Sequence, residues 1–341
     1  MKQFLGLDIG GANIKTADGQ GHANSLPFPL WRYPSDLTAT LREVIAKVPR
    51  DVIVVATTTG ELADCFATKD EGIRTIVDAL CKAAEPRRVL WYTLDGAFVP
   101  SRVAMQHSRK VAAANWHALV RFAASCVHAK TSLLIDVGST TTDIIPSVDG
   151  LPAMRGLSDP QRLSTGELVY SGVQRTPVCA IAPAVPWRGR SCRVAGELFA
   201  TAWDVYLWLN RLSEEPDATH TADGRPATRP AASRRLARAI CADLADCGAE
   251  DIQAIALALA TAQIETLSQA AGNVVGNMPG PPEVVVVSGQ GEFLARDVAR
   301  RVAPEANIVS LAERLGPVAS RAAAAHALVA IAMREGAGQC G

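Results

Sequence analysis

Aromatic side chains are scarce in this chain, and so is any imbalance of charge. Phe, Trp and Tyr make up 5% of its 341 residues, too few for a platform that stacks single-stranded bases. Lys plus Arg number 34 and Asp plus Glu 34, so no global field draws nucleic acid. No apolar run reaches the length of a membrane span. None of the eight cysteines stands in a C-x-x-C pair, which sets aside zinc and dithiol chemistry and leaves free thiols in a reducing compartment. The six histidines are dispersed, with His107 and His220 the first to test. Met1-Lys2-Gln3-Phe4 runs straight into an apolar strand, so a cytoplasmic chain without a secretory leader is expected.

Apolar bulk and glycine are what the chain does have. Hydrophobic residues at 48% and charged residues at 20% suit a compact core. The length predicts two domains, read here as 1–130 and 131–341, with the C-terminal helix packing back on the first. Apolar spacing predicts helices over 37–48, 72–84, 112–127, 198–212, 236–247, 251–271 and 318–333. Strands are expected over 4–8, 14–17, 26–31, 51–57, 89–92, 177–182, 283–288 and 308–309. The stretch 213–234, rich in Pro, Asp, Thr and Gly, reads as a long loop, either a functional lid or a solvated linker.

Two glycine-rich turns carry the chemistry. The first is Leu7-Asp8-Ile9-Gly10-Gly11-Ala12-Asn13-Ile14-Lys15, and the second is Ile135-Asp136-Val137-Gly138-Ser139-Thr140-Thr141-Thr142-Asp143. Each is an apolar run ending in Asp, a turn on Gly, and a second apolar run. Gly lets a backbone approach a ligand closely, and successive N–H groups make an anion cradle. An Asp beside such a cradle suits a magnesium ion bound with phosphate. Two such turns facing each other across a cleft would grip a polyphosphate. A third turn, Ser288-Gly289-Gln290-Gly291, follows the β-branched run Val284-Val285-Val286-Val287.

Three turns in this order resemble the actin-like ATPase superfamily, which has a ribonuclease H-like fold. The resemblance implies an α/β architecture of two duplicated domains around a central cleft. The third turn departs from the superfamily pattern, because Gln290 separates glycines that nucleotide-binding members place side by side. ATP is therefore an open cofactor, and magnesium the expected one. Together with Thr57-Thr58-Thr59-Gly60-Glu61-Leu62-Ala63-Asp64 and Thr221-Ala222-Asp223-Gly224-Arg225-Pro226, the turns look like the hydantoinase/oxoprolinase-related proteins of tetrahydromethanopterin-linked one-carbon metabolism.

That resemblance implies a transferase of methanofuran or methylofuran biosynthesis. The phenol of γ-glutamyltyramine, or a tyrosine-like acceptor, would displace diphosphate from (5-(aminomethyl)furan-3-yl)methyl diphosphate. Gly10, Gly11 and Asn13 would cradle one phosphate and Gly138, Ser139 and Thr140 the other, with Gly289 completing the set. Asp8 and Asp136 would hold the magnesium, and Lys15 would neutralise diphosphate charge. Glu61, Asp64 and Glu167 are the candidates for the base that receives the phenol proton. Asp223 and Arg225 would balance the amine and carboxylate of the substrates if the long loop closes. The expected partners are these small molecules, not nucleic acid or membrane, and a homodimer is compatible with the Ala-rich helices. The alternatives left open are an ATP-dependent small-molecule kinase, an oxoprolinase-like amidohydrolase, and a nucleotide-binding scaffold.

Overall fold

The computed structural model describes residues 3–336. The chain forms two compact units. The first comprises the chain up to Ser132, Pro146–Asp159, and the chain from Val309 on. Six strands make its sheet: β1 (Phe4–Gly10), β2 (Asn13–Ala17), β3 (Ala23–Pro27), β4 (Ile53–Thr59), β5 (Val89–Tyr92) and β6 (Phe98–Pro100), in the order β3-β2-β1-β4-β5-β6. β1 runs antiparallel to β2 and parallel to β4. Strand side chains alternate between faces. Leu5, Leu7 and Ile9 therefore join Val54 and Ala56 on one face, packed with Leu37, Leu41, Ile45, Ile73, Ile76 and Leu80 of the helices Leu37–Ile45 and Lys69–Ala84. The other face of β1 carries the helix Ala323–Glu335. Gly6 permits that approach, since a Cβ there would fall 2.0 Å from the Ala325 carbonyl oxygen.

The second unit comprises Leu133–Ile145 and Pro160–Ile308. Its sheet is built from β7 (Thr131–Val137), β8 (Thr142–Val148), β10 (Leu168–Val169), β13 (Val284–Ser288) and β14 (Asn307–Ser310), in the order β10-β8-β7-β13-β14; the end of β8 and β9 (Leu151–Pro152), which pair with each other, fall within the first unit. Leu133, Ile135, Val137, Val285 and Val287 pack against Ile252, Ile255 and Leu259 of the helix Ala249–Val275 and Leu294 and Val298 of the helix Glu292–Val302. In both sheets a glycine turn joins the first two strands. In both, the strand beyond the first is reached through helices, so the five-strand order of one unit recurs in the other.

Several elements depart from the sequence expectations. Residues 177–182 are not a strand but a single helical turn, Val178–Ile181, started by Pro177. The strand expected over 26–31 lies at Ala23–Pro27, because the Pro29 carbonyl accepts from Arg32 N at 2.9 Å and turns the chain. The helix expected over 236–247 is Arg229–Arg238, and Cys241 with φ +57° follows its end. The C-terminal helix divides into Pro317–Arg321 and Ala323–Glu335. An unexpected hairpin, β11 (Ala184–Trp187) with β12 (Arg190–Arg193), turns through Arg188 and Gly189, both at positive φ. Among the described residues the seven cysteines are free, and no helix is long and apolar enough to cross a membrane.

Candidate functional site

The first turn leaves β1 at Gly10 and re-enters the sheet at Asn13. Its carbonyls are consumed by the segment after β3: Phe28 N donates to Ala12 O and Leu30 N to Gly11 O, each at 2.9 Å. The N–H groups of Gly11 and Ala12 make no hydrogen bond among the described residues. A Cβ on Gly11 would meet nothing within 4 Å. The turn thus offers donors without competing acceptors, and an anion can approach them. Register sets Lys15, Asp8 and Thr57 side by side across β2, β1 and β4. Residues paired this way share one face of the sheet. Asp8 is 4% exposed, and Thr57 is fully buried.

The run 57–61 docks onto this turn. Thr58 Oγ1 donates to Ile9 O at 2.9 Å and accepts from Gly60 N at 3.1 Å. A Cβ on Gly60 would lie 3.3 Å from the carbonyl carbon of Gly10. Glu61 is 2% exposed, with its backbone under Gly72. Burial pushes its carboxyl up to about 7. Its own N–H opposes that rise, Asp159 adds to it, and Lys69 and the Ala113 N–H oppose it further. Lys69 and Asp159 are themselves paired at 2.9 Å. Thr57 Oγ1 and Glu61 Oε2 find no hydrogen-bond partner among the described residues.

The second turn repeats the arrangement with different supports. Gly138 N donates to Thr141 O at 2.9 Å, closing the turn. Val173 N donates to Gly138 O at 3.0 Å, and Gln174 N and Arg175 N to Ser139 O at 3.0 and 2.9 Å. Carbonyls are again removed as acceptors, and the N–H groups of Ser139 and Thr140 make no hydrogen bond among the described residues. Asp136 is half-buried at the end of β7. The third turn lies against it: a Cβ on Gly289 would fall 2.3 Å from Val137 O and 2.8 Å from Asp136 Oδ1. Gly289 has φ +91°, a conformation few other residues adopt. Gly291 is equally filled, by Val173 and Val137 side chains.

Other candidates lie elsewhere. Asp64 is exposed. Glu167 is buried beside the ion pair of Arg162 and Asp143 (2.5 Å), with its carbonyl accepting from Arg162 at 3.1 Å. The long loop is tied down: Glu215 N donates to Ala227 O and Ala227 N to Ala218 O. Asp223 accepts from Arg235 at 2.9 Å and from Arg238 at 3.2 Å, and Arg225 is exposed. His220 packs against Trp203 in a tilted pair with centroids 5.0 Å apart. Sequence reasoning missed Gly172 and Thr176, which brace the second turn. Gly172 carries the only visible signal, a glycine four residues after β10 begins, and Thr176 carries none.

Among the described residues no group of three or more His, Cys, Asp or Glu could hold a metal by itself. Magnesium does not require one, since it takes one or two carboxylates and fills its shell with phosphate oxygens and water. Asp8 and Asp136, each at the end of a strand leading into a turn of free N–H groups, are donors of that kind.

A five-strand order repeated in two sheets, each entered through a glycine turn that presents N–H groups, is the actin-like ATPase fold. Within it, the chain belongs to the hydantoinase/oxoprolinase family, whose model matches residues 53–332. It is 31% identical over 335 residues to a Methanocaldococcus jannaschii protein named (4-{4-[2-(gamma-L-glutamylamino)ethyl]phenoxymethyl}furan-2-yl)methanamine synthase, covering 97% of this chain and 98% of that one. A Methanococcus vannielii protein of the same name is 33% identical over 191 residues, which cover 55% of this chain and 84% of the relative. Among solved structures, component A of the (R)-2-hydroxyglutaryl-CoA dehydratase of Acidaminococcus fermentans aligns with TM-score 0.45 and 11% identity, over 99% of this chain and 100% of that one. The fold assignment rests on the sheet order, to which so distant a likeness adds nothing.

Proposed function

We propose that the protein is a transferase that joins the phenol of γ-glutamyltyramine, or a tyrosine-like acceptor, to (5-(aminomethyl)furan-3-yl)methyl diphosphate and releases diphosphate. What carries this reading is the likeness to a synthase of that product along nearly the whole chain. The chemistry of the two turns supports it. Breaking the methylene C–O bond leaves its electron pair on diphosphate, so the barrier is lowered by donors already aimed at the departing charge. The N–H groups of Gly11 and Ala12 are one set suited to that task and those of Ser139 and Thr140 another, with the backbone of Gly10, Asn13 and Gly138 shaping the turns. Lys15, beside Asp8 in the sheet, adds positive charge. Asp8 and Asp136, each beside its own turn, are the proposed magnesium ligands, and the ion would supply charge neutralisation for the leaving group.

The phenol begins near pKa 10, and its proton must leave as the oxygen attacks the methylene carbon. Glu61 is the candidate base whose carboxyl is raised toward neutrality, where a base both holds and releases protons effectively. Both glycines of the third turn are used against β7, which supports a reading without adenosine. The substrates are proposed as small molecules met in the cytoplasm. Calorimetry with magnesium tests the proposal. Pyrophosphate should bind, and ATP should bind far more weakly. Tight ATP binding without pyrophosphate binding would replace the transferase with an ATP-dependent enzyme.

A further inference from the structure

The helix Ala249–Val275 crosses the second core with Ile252, Ile255, Leu259 and Leu267 buried, and one amide stands in that apolar row. Gln263 is 1% exposed. An amide removed from water costs free energy unless its donors and acceptor are matched. Here the match comes from the segment bracing the second turn. Nε2 donates to Ser171 Oγ and to Gly172 O, each at 2.9 Å. Oε1 accepts from the Tyr206 hydroxyl at 2.8 Å. A carbonyl only accepts, so the contact with Gly172 O fixes which end of the amide is Nε2. Burial raises the pKa of the Tyr206 phenol, which therefore remains a donor.

Gly172 lies flat against the turn. A Cβ there would fall 2.6 Å from Ser139 C and from Thr140 N. The next three residues hold the carbonyls of Gly138 and Ser139. Thr142 Oγ1 donates to Ser171 O at 2.6 Å, and Gly172 N donates to Thr176 Oγ1 at 2.8 Å. The peptides of the turn are thus set from beneath by residues 171–175, and residues 171–172 are set by a side chain on a 27-residue helix. Stability alone does not call for this amide, because apolar groups of the same shape at both partners are often nearly neutral.

We infer that Gln263 is a positioning residue: through Ser171 and Gly172 it fixes where the Ser139 and Thr140 N–H groups point, without touching substrate. The inference rests on the reading of that turn as a diphosphate-binding element. Gln263→Met fills the volume but removes all three hydrogen bonds, whereas Tyr206→Phe removes only the one to Oε1. Magnesium pyrophosphate titrations, melting curves and steady-state kinetics on the full chain test it. Gln263→Met leaves the Tyr206 hydroxyl, Ser171 Oγ and Gly172 O without this partner, so it should melt several degrees below wild type and, while still folded at the assay temperature, bind pyrophosphate about ten-fold more weakly. KM for the diphosphate donor should rise while KM for the phenolic acceptor stays, with Tyr206→Phe intermediate. A folded Gln263→Met that binds pyrophosphate as wild type does, or moves both KM values together, overturns the inference alone. Should Gln263→Met not fold, Tyr206→Phe decides: unchanged affinity overturns the inference, and a loss of about three-fold sustains it. Wild type that ignores magnesium pyrophosphate overturns the diphosphate reading and this inference with it.

Discussion

Replacing Glu61 by Gln separates the stability and the chemistry of one buried carboxyl. Its pKa is raised from 4.5 to about 7, chiefly by burial. The folded state therefore keeps a proton that the unfolded chain releases as pH climbs. The stability this group contributes is whole below pH 4.5, declines between 4.5 and about 7, and is lost above that. At about 1.4 kcal/mol per pKa unit, the swing is on the order of 3 kcal/mol. Gln is neutral throughout and removes it. Urea unfolding of both proteins at pH 5 and pH 8 measures the effect. The Gln variant should gain on wild type by most of that amount at the higher pH. In the transfer reaction the same variant should lose about two to four orders of magnitude in kcat, since the proposed general base is removed. A stability difference that does not vary with pH would refute the burial argument. An unchanged kcat would remove Glu61 from the chemistry.

Three further substitutions probe the turns. Gly289→Ala should destabilise by roughly 2–4 kcal/mol in urea unfolding, because the methyl would meet Val137 O at 2.3 Å with the backbone at φ +91°. Gly11→Ala should leave stability within about 1 kcal/mol, since nothing lies near its Cβ. It should nevertheless weaken pyrophosphate binding at least about ten-fold in calorimetry, because the methyl stands where the anion must approach. Asp136→Ala should abolish product formation while preserving the circular dichroism spectrum, as it deletes a proposed metal ligand and no core volume.

Much of this molecule was legible from short patterns. The alternation in Leu5, Leu7 and Ile9, and the β-branched run Val284–Val287, marked strands that bury one or both faces. The glycine turns after Asp8 and Asp136 marked the places where N–H groups emerge. What stayed hidden is long-range. The ion pair of Lys69 with Asp159, which flanks Glu61, joins residues far apart in sequence. Nothing local distinguishes Gln263 from a solvated glutamine except its spacing from Leu259 and Leu267 in an apolar helix. The long loop reads from composition as a lid or a solvated linker, yet Asp223 is held by Arg235 and Arg238, charges that look like helix surface in the sequence. The helical turn at 178–181 was lost because four apolar residues fit either period.

Incubating the protein with magnesium, γ-glutamyltyramine and (5-(aminomethyl)furan-3-yl)methyl diphosphate, and following masses over time, tests the central claim most directly. The joined aryl ether should appear together with one equivalent of pyrophosphate and without any need for ATP. Ether formation that requires ATP, or none at all from a protein that does bind both substrates, would contradict it.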